Sequence, residues 1–255
     1  MTHDDHDLAR DLATEAGALL LRLRSDRGFS DLKVLRDAGD RESHLYLMEA
    51  LDQRRPGDSV LSEEGKDDRA RLDAGRVWII DPLDGTRDYA EEGRGDWAVH
   101  VALWERHQGG TGGLRAGAIA LPSQGRTLST AEPIALPSPR TERIRVAVSR
   151  TRPPEFTRRL ADHLDVDVEL RPMGSAGAKI AAVLLGDVDA YVHAGGQYEW
   201  DSAAPVAVAH AAGAHASRID GSPLTYNQED TKLPDILVCH PELAPSLLAG
   251  IRSVL

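Results

Sequence analysis

An apolar run that stops at two aspartates limits the folds open to this chain. The run Val77-Trp78-Ile79-Ile80 is short, bulky and rich in β-branched residues, which favours a buried strand. Asp81 and Asp84 follow at once, with Pro82 and Leu83 between them. Because Pro82 stops the ladder and fixes its own backbone, both carboxylates can turn toward one point instead of alternating across a sheet. The fold must therefore accommodate acidic groups at the end of a core strand.

Two carboxylates that converge in this way suit a hard metal ion. Mg²⁺ prefers a few carboxylates together with water and substrate phosphate over a full protein cage. Gly85 and Thr86 come next, and exposed backbone N–H groups there would bind phosphate, as at helix N-termini. The alternative is a simple turn, because Asp, Pro and Gly each favour turns. Five fixed positions match by accident only about once in ten thousand, so we favour the metal site.

The net charge of the chain narrows its partners. The 255 residues carry a net charge of −11, and the pI is near 5.4. Nucleic acid binds to clustered Lys and Arg on a basic face, so this composition argues against a nucleic-acid polymer as partner. An anionic small molecule stays compatible if bound divalent metal supplies positive charge locally. The net negative charge of the chain is therefore compatible with a bound divalent metal ion.

Cysteine content and hydropathy indicate the compartment. Cys239 is the single cysteine, which excludes an intramolecular disulfide, and no Cys/His spacing typical of structural zinc is present. No apolar run approaches the roughly 18 residues of a membrane span, and the N-terminus lacks the pattern of a secretory signal. We expect a cytoplasmic protein with no membrane partner.

Apolar periodicity divides the first half of the chain into helices followed by strands. Spacings of three and four residues predict amphipathic helices over 7–24 and 41–54. The Gly-rich segment 109–113 predicts a hairpin loop rather than a phosphate cradle, because no strand-loop-helix context surrounds it. The remaining runs predict strands at 59–61, 77–80, 97–104, 114–121 and 125–130.

The stretch 133–143 contains three prolines and no periodicity, which marks a domain boundary. We predict an N-terminal α+β domain over 1–135 and a C-terminal α/β domain over 140–255. Strands and helices alternate in the second domain. The predicted strands are 144–148, 166–171, 188–193, 215–219 and 235–239, and the predicted helices are 153–164, 176–186, 201–212 and 241–255.

Three motifs resemble the inositol monophosphatase superfamily. The run from Trp78 to Thr86 is similar to the family signature Trp-Ile-Ile-Asp-Pro-Leu/Ile-Asp-Gly-Thr. Upstream, Ser62-Glu63-Glu64 is similar to the family's Gly-Glu-Glu element. Downstream, the segment from Glu199 to Pro205 is similar to the Trp-Asp-x-Ala-Ala-Gly/Pro element. The motifs occur in the family's order, so the resemblance covers most of the chain.

This resemblance implies a layered α/β fold, the αβαβα sandwich of the inositol monophosphatase/fructose-1,6-bisphosphatase type. It also implies a Mg²⁺-dependent phosphomonoesterase with two or three ions per site and its site between the two domains. One ion would be held by Glu63, Asp81 and the Leu83 carbonyl, and another by Asp81, Asp84 and Asp201. Without the family context, Glu63 would be a solvated charge, and Asp201 would be a helix cap or first-turn residue.

The resemblance also implies that Asp40 and Thr86 activate the attacking water. Asp40 ends the segment Asp37-Ala38-Gly39-Asp40, where the family commonly has Thr-x-x-Asp. Asp37 departs from this pattern because it occupies the position of the threonine. The alternative is that Asp40 is only the N-cap of a helix that begins at Arg41.

Two further segments resemble the CysQ-type branch of the family, which removes the 3′-phosphate of 3′-phosphoadenosine 5′-phosphate. They are Ser149-Arg150 and Gly174-Ser175-Ala176-Gly177-Ala178-Lys179. Lys179 or Arg150 would neutralise the second phosphate of that substrate. The alternative is that the Gly174 segment merely turns the chain and caps a helix. The predicted substrate contacts are Gly85, Thr86, Ser149, Arg150, Gly174, Ser175 and Lys179.

The expected activity is hydrolysis of 3′-phosphoadenosine 5′-phosphate to AMP and phosphate, a reaction that serves sulfate assimilation. One alternative is the same chemistry on inositol 1-phosphate or fructose 1,6-bisphosphate with relaxed specificity. Another is an inactive phosphate-binding regulatory protein, which the complete set of acidic ligands argues against. We expect a small phosphorylated substrate and a homodimer as partners. The ten histidines show no ligand spacing and are interpreted as surface or core residues.

Overall fold

The computed structural model describes residues 4–140, 142–164 and 166–255, so residues 1–3, 141 and 165 of the two predicted domains lie outside the described residues. The helices are α1 (Asp5–Arg27), α2 (Leu32–Arg54), α3 (Thr86–Tyr89), α4 (Phe156–His163), α5 (Ala176–Leu184), α6 (Glu199–Ala211) and α7 (Ala244–Val254). The strands are β1 (Ser59–Ser62), β2 (Arg76–Asp84), β3 (Ala98–Arg106), β4 (Gly112–Leu121), β5 (Arg126–Ser129), β6 (Arg143–Ser149), β7 (Asp167–Met173), β8 (Ala190–Tyr198), β9 (His215–Ser217) and β10 (Lys232–Cys239).

The strands form two mixed sheets of five. The first has the order β1-β2-β3-β4-β5, in which β1 and β2 are parallel and the other neighbours are antiparallel. The second has the order β7-β6-β8-β10-β9, in which β6 is parallel to both of its neighbours. The pairs of β10 with β8 and β9 are antiparallel.

Helices cover both sheets and fill the space between them. Helices α1 and α2 pack on one face of the first sheet, and their apolar side chains form a core with those of β2, β3 and β4. Helices α5 and α6 lie between the sheets and share a second core with both. Helices α4 and α7 pack together over the outer face of the second sheet. The predicted αβαβα layering is therefore confirmed.

Helix α2 begins nine residues before the predicted start, at Leu32 instead of residue 41. The Asp31 side chain caps it by accepting the N–H groups of Lys33 and Val34. In the added turns the buried face consists of Leu35, Ala38 and Gly39, whereas Leu32 and Val34 are exposed, so the hydropathy there gives no clear amphipathic pattern. Asp40 lies inside this helix, and the alternative that it is an N-cap is wrong.

The β2 strand does not end at Pro82 as expected. It continues to Asp84, with a register irregularity between Asp81 and Asp84 where it pairs with β3. A bulge of this kind tolerates a proline and re-aims the adjacent side chains. The expected convergence of the two aspartates thus comes from a bulge within the strand. Downstream, the glycine segment joins β3 to β4 as the predicted hairpin, although its last two glycines belong to β4.

The two halves of the chain share a core. The proline-rich stretch predicted as a boundary joins β5 to β6, and its described residues before Arg143, where β6 begins, have no regular secondary structure. Helix α6, from the second half, packs against β2, β3 and β4 of the first sheet. The division into domains at 135–140 stays a prediction. None of the helices in the described ranges combines the length and apolar character needed to cross a bilayer.

The contact between β4 and α6 depends on Gly117. A methyl group added there would lie 2.7 Å from the Ala207 Cβ and 3.1 Å from the Ala204 carbonyl oxygen. We expect Gly117→Ala to lower the free energy of unfolding by about 1–3 kcal/mol, because the strand and helix backbones must separate. Urea denaturation measures this change. Gly75→Ala is the matched control, since nothing lies within 4 Å of its added methyl group. An equal loss in both variants would contradict the close-approach explanation.

Candidate active site

The end of β2 places two buried aspartates beside each other. Asp81 Oδ1 accepts the N–H of Leu83 at 3.0 Å, whereas its Oδ2 is buried without a hydrogen-bond partner among the described residues. Asp84 Oδ2 accepts the Ser175 hydroxyl and the N–H of Gly177, the latter at 2.8 Å. These two donors come from the N-terminus of α5, so the first turn of that helix holds Asp84 in place.

Glu63 joins the aspartates because β1 runs parallel to β2. Ser62 pairs with Ile80 in this ladder, so the residues that follow both strands lie at one edge of the sheet. The carboxyl groups of Glu63 and Asp81 lie close enough for each to affect the pKa of the other. The charge of Glu64 acts on both Asp40 and Glu63, but it does not contribute to the shifted pKa of Asp81.

Asp201 comes from the first turn of α6, directly after β8. Its Oδ2 accepts the N–H of Tyr198 at 2.6 Å, which confirms the predicted first-turn position. The N-cap is Tyr198 and not Asp201. The charge of Asp201 interacts with those of Asp84 and Glu63, so α6 brings a predicted metal ligand to the carboxylates of the first sheet.

Crowding of these carboxyl groups fits a cationic occupant. Burial, together with the charges of Glu63, Asp84 and Asp201, raises the pKa of Asp81 well above its ordinary value. Burial and the nearby Asp84 raise the pKa of Asp201 to about 8. Asp81, Asp84 and His100 each offer a ligand atom within 4.8 Å of the others. Buried carboxylates need an opposite charge, and the unpartnered Asp81 Oδ2 is free to accept one, so the donor set fits a divalent cation.

Asp40 and Thr86 meet beside this cluster, as the sequence predicts. Thr86 Oγ1 lies 3.4 Å from Asp40 Oδ1 and 3.2 Å from the Leu83 carbonyl oxygen. Burial raises the pKa of Asp40 to about 7, with a further contribution from Glu64 and Glu63. Gly85 has a φ of 85°, a left-handed conformation that favours glycine, and it is the N-cap of the four-residue helix α3.

A cavity of about 460 Å³ opens over the acidic groups. Ser175 lines it and is the N-cap of α5, so the capping alternative is confirmed while the same hydroxyl also contacts Asp84. Lys179 is buried in its wall, bonded to the Gly174 carbonyl and 5.2 Å from the centre of the Tyr191 ring. Burial lowers the pKa of Lys179 to about 8, against the opposing charges of Asp84 and Asp88.

Arg150 reaches the cavity with its charge already paired. Its guanidinium lies 2.8 Å from Asp88 and 2.9 Å from Glu91. Ser149 lines the same cavity and accepts the N–H of Arg152 at 3.1 Å. Arg152 is exposed at the cavity and makes no ion pair with any residue that the structure describes. Two arginines that are close in sequence thus differ in the positive charge that they can offer to a ligand.

Sequence reasoning missed Arg152 and His100. Arg152 follows the predicted Ser149-Arg150 pair by two residues, and its freedom from ion pairs depends on side-chain packing. His100 is the cross-strand partner of Asp81 on β3. A polar residue in the apolar run 97–104 was a signal, but only strand register brings it to the acidic cluster.

Comparison with known proteins agrees with this geometry. The sequence profile of the inositol monophosphatase family matches residues 4–254, and the chain belongs to this family of phosphatases. A 3′-phosphoadenosine 5′-phosphate phosphatase of Mycobacterium leprae is 52% identical over 98% of this chain and 94% of its own length. The 3′(2′),5′-bisphosphate nucleotidase CysQ of Escherichia coli is 29% identical over 77% of this chain and 81% of its own.

Solved structures share the fold. The extragenic suppressor protein SuhB from Bartonella henselae superposes with a TM-score of 0.76 at 21% identity, covering 99% of this chain and all of its own. SuhB of Mycobacterium tuberculosis gives a TM-score of 0.72 at 25% identity and covers 98% of this chain and 96% of its own. The family is metal-dependent, and the acidic cluster is the candidate metal centre of this chain.

A substitution at Asp81 tests this centre. We expect Asp81→Asn to lower Mg²⁺ affinity on the order of 100-fold or more, because it removes the central carboxylate. The metal-free variant should unfold at a higher temperature than the wild type, since a crowded negative charge is gone. Calorimetric titration and thermal melts measure the two effects. Glu64→Gln is the control, and a folded Asp81→Asn protein with wild-type Mg²⁺ affinity would contradict the assignment.

Proposed function

We propose that this protein hydrolyses 3′-phosphoadenosine 5′-phosphate to AMP and inorganic phosphate. The observation that carries the proposal is the acidic cluster around Asp81, in which Glu63, Asp84 and Asp201 line a cavity that also contains cationic side chains. The relatives named for the same substrate support it, because one is 52% identical along nearly the whole chain.

The metal in this proposal is Mg²⁺, bound as two or three ions. Glu63, Asp81 and the Leu83 carbonyl would hold one ion, and Asp81, Asp84 and Asp201 would hold another. Hard oxygen donors of this kind suit Mg²⁺ better than a softer metal. Bound there, Mg²⁺ would supply positive charge to the phosphoryl and leaving oxygens.

Asp40 and Thr86 prepare the attacking water. Thr86 Oγ1 lies between Asp40 and the Leu83 carbonyl, so a water bonded to this hydroxyl would be oriented next to the metal ligands. The oxygen of this water forms a bond to phosphorus, and a proton of the water passes to Asp40. The bond between phosphorus and the 3′ oxygen breaks. The leaving 3′ oxygen takes a proton from solvent. No covalent enzyme intermediate is needed.

The cationic residues of the cavity would recognise phosphate. The charge of Lys179 interacts with those of Asp84 and Asp201, so its ammonium would lie beside the phosphate that is cleaved. Arg152 offers an unpaired guanidinium to the second phosphate. Arg150 contributes less than the sequence suggests, because Asp88 and Glu91 already neutralise it. Gly85, Ser149, Gly174 and Ser175 stay predicted substrate contacts.

The role of Asp40 gives the first test. We expect Asp40→Asn to lower kcat about 100- to 10,000-fold, because a positioned base is lost. Mg²⁺ affinity should change little, since Asp40 is outside the proposed ligand set. Steady-state kinetics and calorimetric titration separate the two effects. Normal kcat with a lost metal site would make Asp40 a ligand instead of the base.

The second phosphate gives a test of substrate identity. We expect Arg152→Ala to reduce kcat/KM about ten- to a hundredfold for 3′-phosphoadenosine 5′-phosphate, and hardly at all for adenosine 3′-monophosphate. The two substrates differ only in the 5′-phosphate, so their ratio isolates its recognition. Arg150→Ala is the comparison variant and should lower both rates by similar factors. Equal losses on both substrates in Arg152→Ala would contradict the assignment of this arginine.

Other activities are distinguished by a substrate panel. Inositol 1-phosphate or fructose 1,6-bisphosphate turned over faster than the nucleotide would favour relaxed sugar-phosphatase specificity. Absence of turnover on the whole panel, with phosphate still bound, would favour an inactive regulatory protein. A homodimer and a cytoplasmic location stay predictions.

A further inference from the structure

His100 is a polar residue in an otherwise apolar part of the core. Its neighbours on β3, including Val99 and Val101, are fully buried, and so is the imidazole itself. Burying an imidazole is costly unless its nitrogens find partners. The partners of this ring all belong to elements that carry proposed metal ligands.

The nearest polar atoms to the two ring nitrogens come from different elements, although Nδ1 also lies 4.0 Å from Asp81 Oδ2. Nδ1 lies 3.1 Å from the carbonyl oxygen of Trp200, and it must be the donor, since a carbonyl oxygen only accepts. Nε2 lies 3.4 Å from Asp84 Oδ2. Trp200 directly precedes Asp201 in the first turn of α6. One rigid ring therefore spans the gap between the β2 bulge and the start of α6.

Helix α5 meets the same ring through Gly177. A methyl group at this position would collide with Nε2, so only glycine leaves room for the imidazole. The N–H of Gly177 also donates to Asp84 Oδ2. The ring, the helix turn and the aspartate thus form one packed contact at which β2, α5 and α6 meet.

Nε2 also has no hydrogen bond among the described residues, although it is fully buried and directed at Asp84. Asp84 and Asp201 form the proposed ligand pair for one ion, and their charges act on each other. We propose that His100 is a positioning residue that sets the separation of Asp84 and Asp201, and through it the Mg²⁺ affinity of the site. This inference rests on the metal assignment of the proposed function.

The test compares variants that keep different parts of the ring. His100→Leu removes both nitrogens, whereas His100→Asn keeps a donor at the position of Nδ1. We expect Mg²⁺ affinity to fall about 10- to 100-fold in His100→Leu, as for other residues that support metal ligands, and less in His100→Asn. At saturating Mg²⁺, KM for the nucleotide should equal that of the wild type, because His100 does not touch substrate.

Calorimetric titration of the metal-free protein gives the affinity without reference to activity. His215→Asn is the matched control, because His215 is half-buried and bonds to Ser217 in the second sheet. Gly177→Ala provides a second route, since it displaces the ring and should weaken Mg²⁺ binding if His100→Leu does not fold.

The outcomes separate the two proposals. A wild-type protein that binds no Mg²⁺ would overturn the metal assignment. If the wild type binds Mg²⁺ and folded His100→Leu binds it with unchanged affinity, the role of His100 alone is overturned. If the leucine variant does not fold, unchanged Mg²⁺ affinity in Gly177→Ala leads to the same conclusion. Lower melting temperature with unchanged Mg²⁺ affinity would make the histidine a core residue only.

Discussion

Repulsion among crowded carboxylates, of which Asp81 and Asp84 are buried, is the constraint around which this fold is organised. Burial raises the pKa of Asp81, and the nearby charges of Glu63, Asp84 and Asp201 raise it further. Folding must supply compensating donors, and it does so with backbone N–H groups. Asp81, Asp84 and Asp201 accept such groups from Leu83, Gly177 and Tyr198. The remaining negative charge is what a divalent cation would neutralise.

The placement of helices follows from this constraint. The first turns of α5 and α6 are directed at the acidic cluster, where their unpaired N–H groups and dipoles favour negative charge. Both helices can reach it only because they lie between the two sheets. The layered architecture is therefore also the architecture of the site.

Much of this arrangement could be predicted from sequence. The Asp81–Thr86 motif identified the cluster, and the layering followed from the family resemblance. Two features could not be predicted. The extra turns of α2 lack an amphipathic pattern, and their cap at Asp31 is a single local contact. The pairing of Arg150 with Asp88 depends on long-range packing between halves of the chain, which no local pattern encodes.

The shared layer between the sheets has a consequence for how the protein is made. Asp201 is far along the chain from Glu63, so a nascent polypeptide exposes most of the acidic cluster well before its last member is synthesised. The inner face of the first sheet also stays uncovered until α6 packs on β2, β3 and β4. Pairing across such sequence separations is slow and cooperative. We therefore expect the acidic cluster and the core between the sheets to be completed late in folding, when α6 packs on the first sheet.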